Sequence, residues 1–108
     1  EQRAVSTTGP QALTFLNGVF MHESAGRMAD RVRDEAGRDQ EQQVVLAFRL
    51  ALARDPGPGE LDASLGFLAA QAAQVVSDSQ SDPAVARQRA LAAFCLVLLN
   101  TNEFTYTR

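Results

Sequence analysis

Val44-Val45-Leu46-Ala47-Phe48-Arg49-Leu50-Ala51-Leu52-Ala53 is apolar at every position but one. Neither here nor elsewhere does the chain alternate with period two, and Val and Thr never gather into a plausible strand. A segment apolar almost all round predicts a helix at the centre of a helical core. Asp39 opens it, with Gln42 three residues later in capping-box spacing. The break Asp55-Pro56-Gly57-Pro58-Gly59 closes it and is the strongest turn signal in the sequence. The helix is therefore expected over about Gln40 to Ala53.

Working outward, the same signals predict four more helices. A short one starts at Pro10, since proline at the first helical position loses no needed hydrogen bond, and Asn17-Gly18 breaks it. A second runs from about Val19 to Ala36 with Met21, Ala25, Met28 and Val32 facing inward, and Gly37 ends it. Beyond the proline turn, a helix from about Pro58 to Val76 buries Leu61, Leu65, Leu68 and Ala72. Ser77-Asp78-Ser79-Gln80-Ser81 reads as a loop. Asp82-Pro83 restarts the chain as cap and first helical residue of a last helix reaching about Leu99. The expectation is an all-α fold, a compact bundle of about five helices in a single domain over residues 1–108. The third and fifth helices form its core pair.

Composition narrows the function. The chain has 108 residues, 45% of them apolar, and a net charge of −3. That length allows about two-thirds of the unfolded surface to be buried. All ten basic residues are Arg, scattered from Arg3 to Arg108, and no basic stripe suited to nucleic acid appears. The apolar run Leu91–Leu99 is far shorter than the roughly 20 residues of a membrane span. A single cysteine, Cys95, allows no internal disulfide. With no initiating Met and no signal peptide, the chain reads as an excised segment of something longer.

Few residues invite chemistry. His22 is the only histidine, so neither a Cys-x-x-Cys-His haem attachment nor a zinc set can be assembled, and no cofactor is expected in this segment. Cys95 lies on an apolar helix with no base beside it, which fits a buried packing residue better than a nucleophile. Ser6, Thr7 and Thr8 stand next to a helix start, where capping explains them more simply than anion binding. Arg49 interrupts the apolar helix, so its guanidinium either reaches the surface or is buried with a partner. Glu103 on the final segment is the first choice of partner. Asn100 and Asn102 suit a helix stop and restart.

Thr7-Thr8-Gly9-Pro10-Gln11-Ala12-Leu13-Thr14-Phe15-Leu16-Asn17 resembles the opening "TPLQALTLLN" block of a family of planctomycete and verrucomicrobial proteins catalogued as domain of unknown function 1553. Leu46 through Arg54 is similar to its central helix, Pro56 through Leu61 to its "PPTPEEL" turn, and Leu98 through Phe104 to its closing "LLNSNEF". The chain departs from the pattern at Gly57, at Gly59 and at Gly18-Val19, all of them helix starts. The resemblance places this chain in the C-terminal part of the family domain and marks Gln11, Asn17, Arg49, Arg54, Asn100, Asn102 and Glu103 as its motif residues. It further implies a large exported parent, periplasmic or at the cell surface, often with a cytochrome c-like domain and its haem upstream.

Two functions from different classes follow. One is a non-catalytic helical module that scaffolds the exported, cytochrome-associated parent, with the upstream domains as partner. Surplus apolar surface near Ala12 and Leu13 would then support a weak homodimer. The alternative is the wall of an active site that upstream domains complete, in a hydrolytic or redox enzyme, with Arg49, Glu103 or Gln11 lining a cleft. No base, nucleophile and orienting group occur at recognisable spacing, which favours the first.

Overall fold

A computed structural model describes residues 2–79 and 82–106, with side chains described over 18–79 and 82–101. These residues form four helices, α1 (Gln2–Ala36), α2 (Gln40–Leu52), α3 (Pro58–Ser79) and α4 (Pro83–Tyr106). The bundle is all-α, but the expected count of about five helices is wrong, because the first two are one. An Asn-Gly stop works when the residue after the helix turns left-handed. Among the described residues positive φ occurs only at Gly37 (77°) and Ala53 (59°). Gly18 keeps helical geometry at a cost of about 1 kcal/mol against alanine, and His22 Nδ1 lies 2.9 Å from its carbonyl oxygen. That contact needs the proton on Nδ1. The side chains at Pro10 through Asn17, including Gln11, Ala12, Leu13, Phe15 and Leu16, lie outside those described.

The other helix starts fall where the sequence places them. Asp39 caps α2, with its carboxylate accepting from the Glu41 and Gln42 amides at 3.0 and 3.4 Å. Pro58 and Pro83 are the first residues of α3 and α4. The ends are less well placed. Ser77, Asp78 and Ser79 belong to α3 instead of a loop. Gln74 Nε2 donates to both Asp78 carboxylate oxygens at 3.1 and 3.0 Å, and Ser79 Oγ donates to the Val75 carbonyl at 2.8 Å. Asn100 does not stop α4, which continues to Tyr106. Thr101 Oγ donates to the Val97 carbonyl there at 3.0 Å, so this turn satisfies its polar groups without a break.

Packing keeps α2 and α4 as the expected core pair, since each of them meets all three other helices. The central helix is α4, which packs most extensively on α3 and α1 and also meets α2, whereas α1 and α3 do not touch among the described residues. The inner stripe of α4 is Ala90, Leu91, Phe94, Cys95 and Leu98. Facing it are Ala25, Ala29 and Val32 of α1, then Val44, Ala47, Phe48 and Ala51 of α2, and Leu68 of α3. Alanine at so many of these positions lets the helix axes come close. The Phe94 ring joins the layers, with its centroid 6.2 Å from Phe48 and 6.1 Å from Phe67. The long dimension of the molecule, 53 Å, is about the length of α1 at 1.5 Å per residue.

Candidate functional site

The turn between α2 and α3 gathers most of the motif residues whose side chains are described. Ala53 ends α2 in a left-handed conformation (φ 59°, ψ 33°), and its amide donates to the Arg49 carbonyl at 3.1 Å. That bend carries Asp55 back beneath Arg49. Arg49 Nε donates to Asp55 Oδ1 at 2.6 Å and Nη2 to Oδ2 at 3.4 Å, with both side chains more than half exposed. The guanidinium thus takes the surface alternative, and its partner is Asp55. The side chain of Glu103, the expected partner, lies outside those described.

Arg54 is held more tightly. Its two terminal nitrogens donate to Glu60 Oε1 and Oε2 at 2.7 and 2.8 Å in a bidentate fork. Nη1 also reaches the Asp55 carbonyl at 3.1 Å, and the guanidinium carbon lies 5.5 Å from the centroid of the Phe48 ring. Glu60 Oε1 accepts in addition from the Gly57 amide at 2.9 Å. This is one half of a capping box at the start of α3, and Gly57, lacking a hydroxyl, cannot supply the other half. Ser64 Oγ donates to the Glu60 carbonyl at 2.7 Å one turn later. A core aromatic, a cation, a carboxylate and a helix start are thereby linked in one chain of contacts.

The electrostatics follow from these contacts. The Arg54 fork, and secondarily the Gly57 amide, hold the Glu60 carboxyl down at about 2, against a usual 4.5. The hydrogen bond from Arg49 lowers that of Asp55 as well. A carboxyl held low in the fold stabilises it fully above its unfolded value and stops doing so as pH falls through its folded value. The contribution of Glu60 is accordingly lost between about pH 4.5 and about pH 2. Thermal unfolding followed against pH will show the midpoint of the wild-type chain falling across that interval. The midpoint of Glu60→Gln will fall less. Parallel curves for the two proteins would mean that the fork contributes nothing.

The remaining candidates are dispersed. Asn100 is exposed on α4, and the side chains of Gln11, Asn17, Asn102 and Glu103 lie outside those described. His22 is exposed and turned onto its own helix. Cys95 is fully buried, and burial pushes its thiol up to about 12, so it is un-ionised at neutral pH and no nucleophile. Among the described residues no three His, Cys, Asp or Glu side chains come together as a metal site would need, and no helix is long and apolar enough to cross a membrane. Arg49 and Arg54 stand out in the sequence, whereas Asp55 and Glu60 do not. Both carboxylates looked like turn punctuation, although each stands six residues after its arginine.

Comparison with known proteins agrees with the family signal and says nothing of activity. Residues 1–68 match the family described as Protein of unknown function (DUF1553). That stretch takes in the opening block, the α2 helix and the Arg54–Glu60 turn, and stops short of the closing block at 98–104. No curated protein and no solved structure gives a significant match.

Proposed function

We propose, given that the chain belongs to the DUF1553 family of proteins of unknown function, that it is a non-catalytic helical module that docks onto other parts of a larger protein. The observation that carries this reading is Phe20, which leaves 60% of its surface exposed beside a 42% exposed Val19 on α1. Large apolar side chains this open, next to each other on a long helix, mark a contact surface. The Arg54–Glu60 fork supports the reading from the other side, since the described motif arginines serve to fix a turn. Of the residues that an active-site wall would use, Arg49 is paired with Asp55, and the side chains of Gln11 and Glu103 lie outside those described. From the resemblance we extend the proposal to an exported, cytochrome-associated bacterial parent, with the upstream domains as the partner that covers Phe20.

Hydroxyl-radical footprinting tests the docking. In the 108-residue chain Phe20 will oxidise readily, and in the longer parent protein it will be protected. Equal oxidation of Phe20 in the two would overturn the proposed contact.

A further inference from the structure

At the end of the bundle opposite the arginine–carboxylate turn, α1 finishes, α2 and α4 begin, and a pocket of about 410 Å³ opens between them. Its wall includes three arginines, Arg33, Arg38 and Arg87, and three glutamines, Gln40, Gln43 and Gln88, and among the described residues no acidic one lines it. The arginines come from three places in the fold. Arg33 is in the last turn of α1, Arg38 is in the α1–α2 turn, and Arg87 is in the first turns of α4. Gly37, in left-handed geometry with its amide on the Arg33 carbonyl at 2.9 Å, makes the tight turn that returns the chain past Arg33.

Two of the glutamines fix the walls. Gln43 Nε2 donates to the Gly37 carbonyl at 2.6 Å, tying α2 to the turn, and Gln88 Nε2 donates to Asp30 Oδ1 at 3.2 Å, tying α4 to α1. Asp39, the nearest carboxylate in sequence to Arg38, is occupied as the α2 cap. The guanidiniums are far less engaged. Arg33 has a loose contact of 3.6 Å with Asp34, and among the described residues Arg38 and Arg87 have no hydrogen-bond or ion-pair partner. At the other end of the bundle Arg49 and Arg54 each have a carboxylate within 2.7 Å. Positive charge is therefore compensated at one end and, at Arg38 and Arg87, left open at the other.

We infer that this pocket binds the dianionic phosphoryl group of a small phosphomonoester. Planar guanidiniums from three places in the fold suit an oxyanion that accepts several charge-assisted hydrogen bonds. Two negative charges suit a site with two guanidiniums unpaired among the described residues, and a third only loosely paired, better than a single carboxylate does. The volume lies in the range of small-molecule sites and exceeds what a bare phosphate fills. Arg87 also lines a second groove of about 360 Å³, bordered by Ala72, Ala73, Val76, Pro83 and Ala86. That groove gives the apolar part of the ester a seat beside its phosphoryl group.

The test is titration of the 108-residue chain with phenyl phosphate and, separately, with inorganic phosphate, followed by amide chemical shifts at constant ionic strength. Sodium chloride is the control. Shifts centred on residues 33, 38, 40, 43, 87 and 88 are expected. Tighter binding of phenyl phosphate than of inorganic phosphate identifies the ester as the ligand, and equal binding identifies free phosphate. Arg38→Gln and Arg87→Gln will each weaken binding about tenfold, the effect of one lost charge-assisted hydrogen bond. Both positions are exposed, and circular dichroism will show that the variants keep the wild-type helix. Shifts no larger than those from chloride, or affinities that both variants leave unaltered, would overturn the site.

Discussion

Phe94→Ala will lower the stability of the chain by about 3–5 kcal/mol, the range for removing a buried aromatic ring. The ring is only 4% exposed, on the helix that packs most extensively against the others. It touches Phe48 of α2 and Phe67 of α3 at ring-centroid distances of 6.2 and 6.1 Å, so its loss opens a cavity that three helices share. Their backbones are held by cap and turn contacts at the bundle ends, so the cavity closes only in part. For a domain whose whole stability is about 5–15 kcal/mol, such a loss leaves a visible unfolded fraction near room temperature. Urea unfolding will show the midpoint falling with the slope unchanged. Phe20→Ala, at the exposed ring, will shift it by less than about 0.5 kcal/mol. Equal shifts for the two variants would mean that α4 is not the centre of the core.

How much of this was legible in the sequence depends on how locally each signal acts. The starts of α2, α3 and α4 could be read because Asp39, Pro58 and Pro83 act within one turn of themselves. Helix ends are harder, because a stop depends on one residue adopting left-handed geometry. Gly37 does so, but so does Ala53, which carries no compositional signal, and Gly18 and Asn100 do not. The central place of α4 over α2 was likewise hidden. Both sequences are apolar and both helices meet α1 and α3, and only packing makes the contacts of α4 the more extensive. At the candidate site the arginines stood out because each follows or interrupts an apolar run. Their partners did not, since Asp55 reaches Arg49 only after Ala53 reverses the chain. The basic pocket was invisible for a related reason, as Arg33 and Arg87 are far apart in sequence and meet only through packing.

The two arginine clusters show how one residue type takes opposite parts in one small fold. At the α2–α3 turn each guanidinium is neutralised by a carboxylate six residues on, and the result is a fixed turn. Around the pocket two local carboxylates are used elsewhere, Asp39 on the α2 amides and Asp30 on Gln88, and Asp34 lies 3.6 Å from Arg33. Among the described residues Arg38 and Arg87 have no hydrogen-bond or ion-pair partner, which leaves their donors open to a ligand.

Leu68→Ala will cost about 2–5 kcal/mol, more than the same change at Leu65 or Leu61. The sequence predicts one stripe of Leu61, Leu65, Leu68 and Ala72 on this helix, but the structure grades them. Leu68 is 1% exposed, while the others are half-buried at the edge of the core. Ser64 takes a place on the inner face with its hydroxyl turned back to the Glu60 carbonyl, so it adds little apolar contact. Leu68 is thus the only fully buried large apolar side chain that α3 contributes among the described residues. Because α3 packs on α4 and α2 and not on α1, the loss should appear first as faster amide exchange along α3. The amides of α1 between residues 25 and 32 will keep their protection until global unfolding. If Leu65→Ala costs as much as Leu68→Ala, or if α1 and α3 lose protection together, α3 is held by an even stripe and not by one side chain.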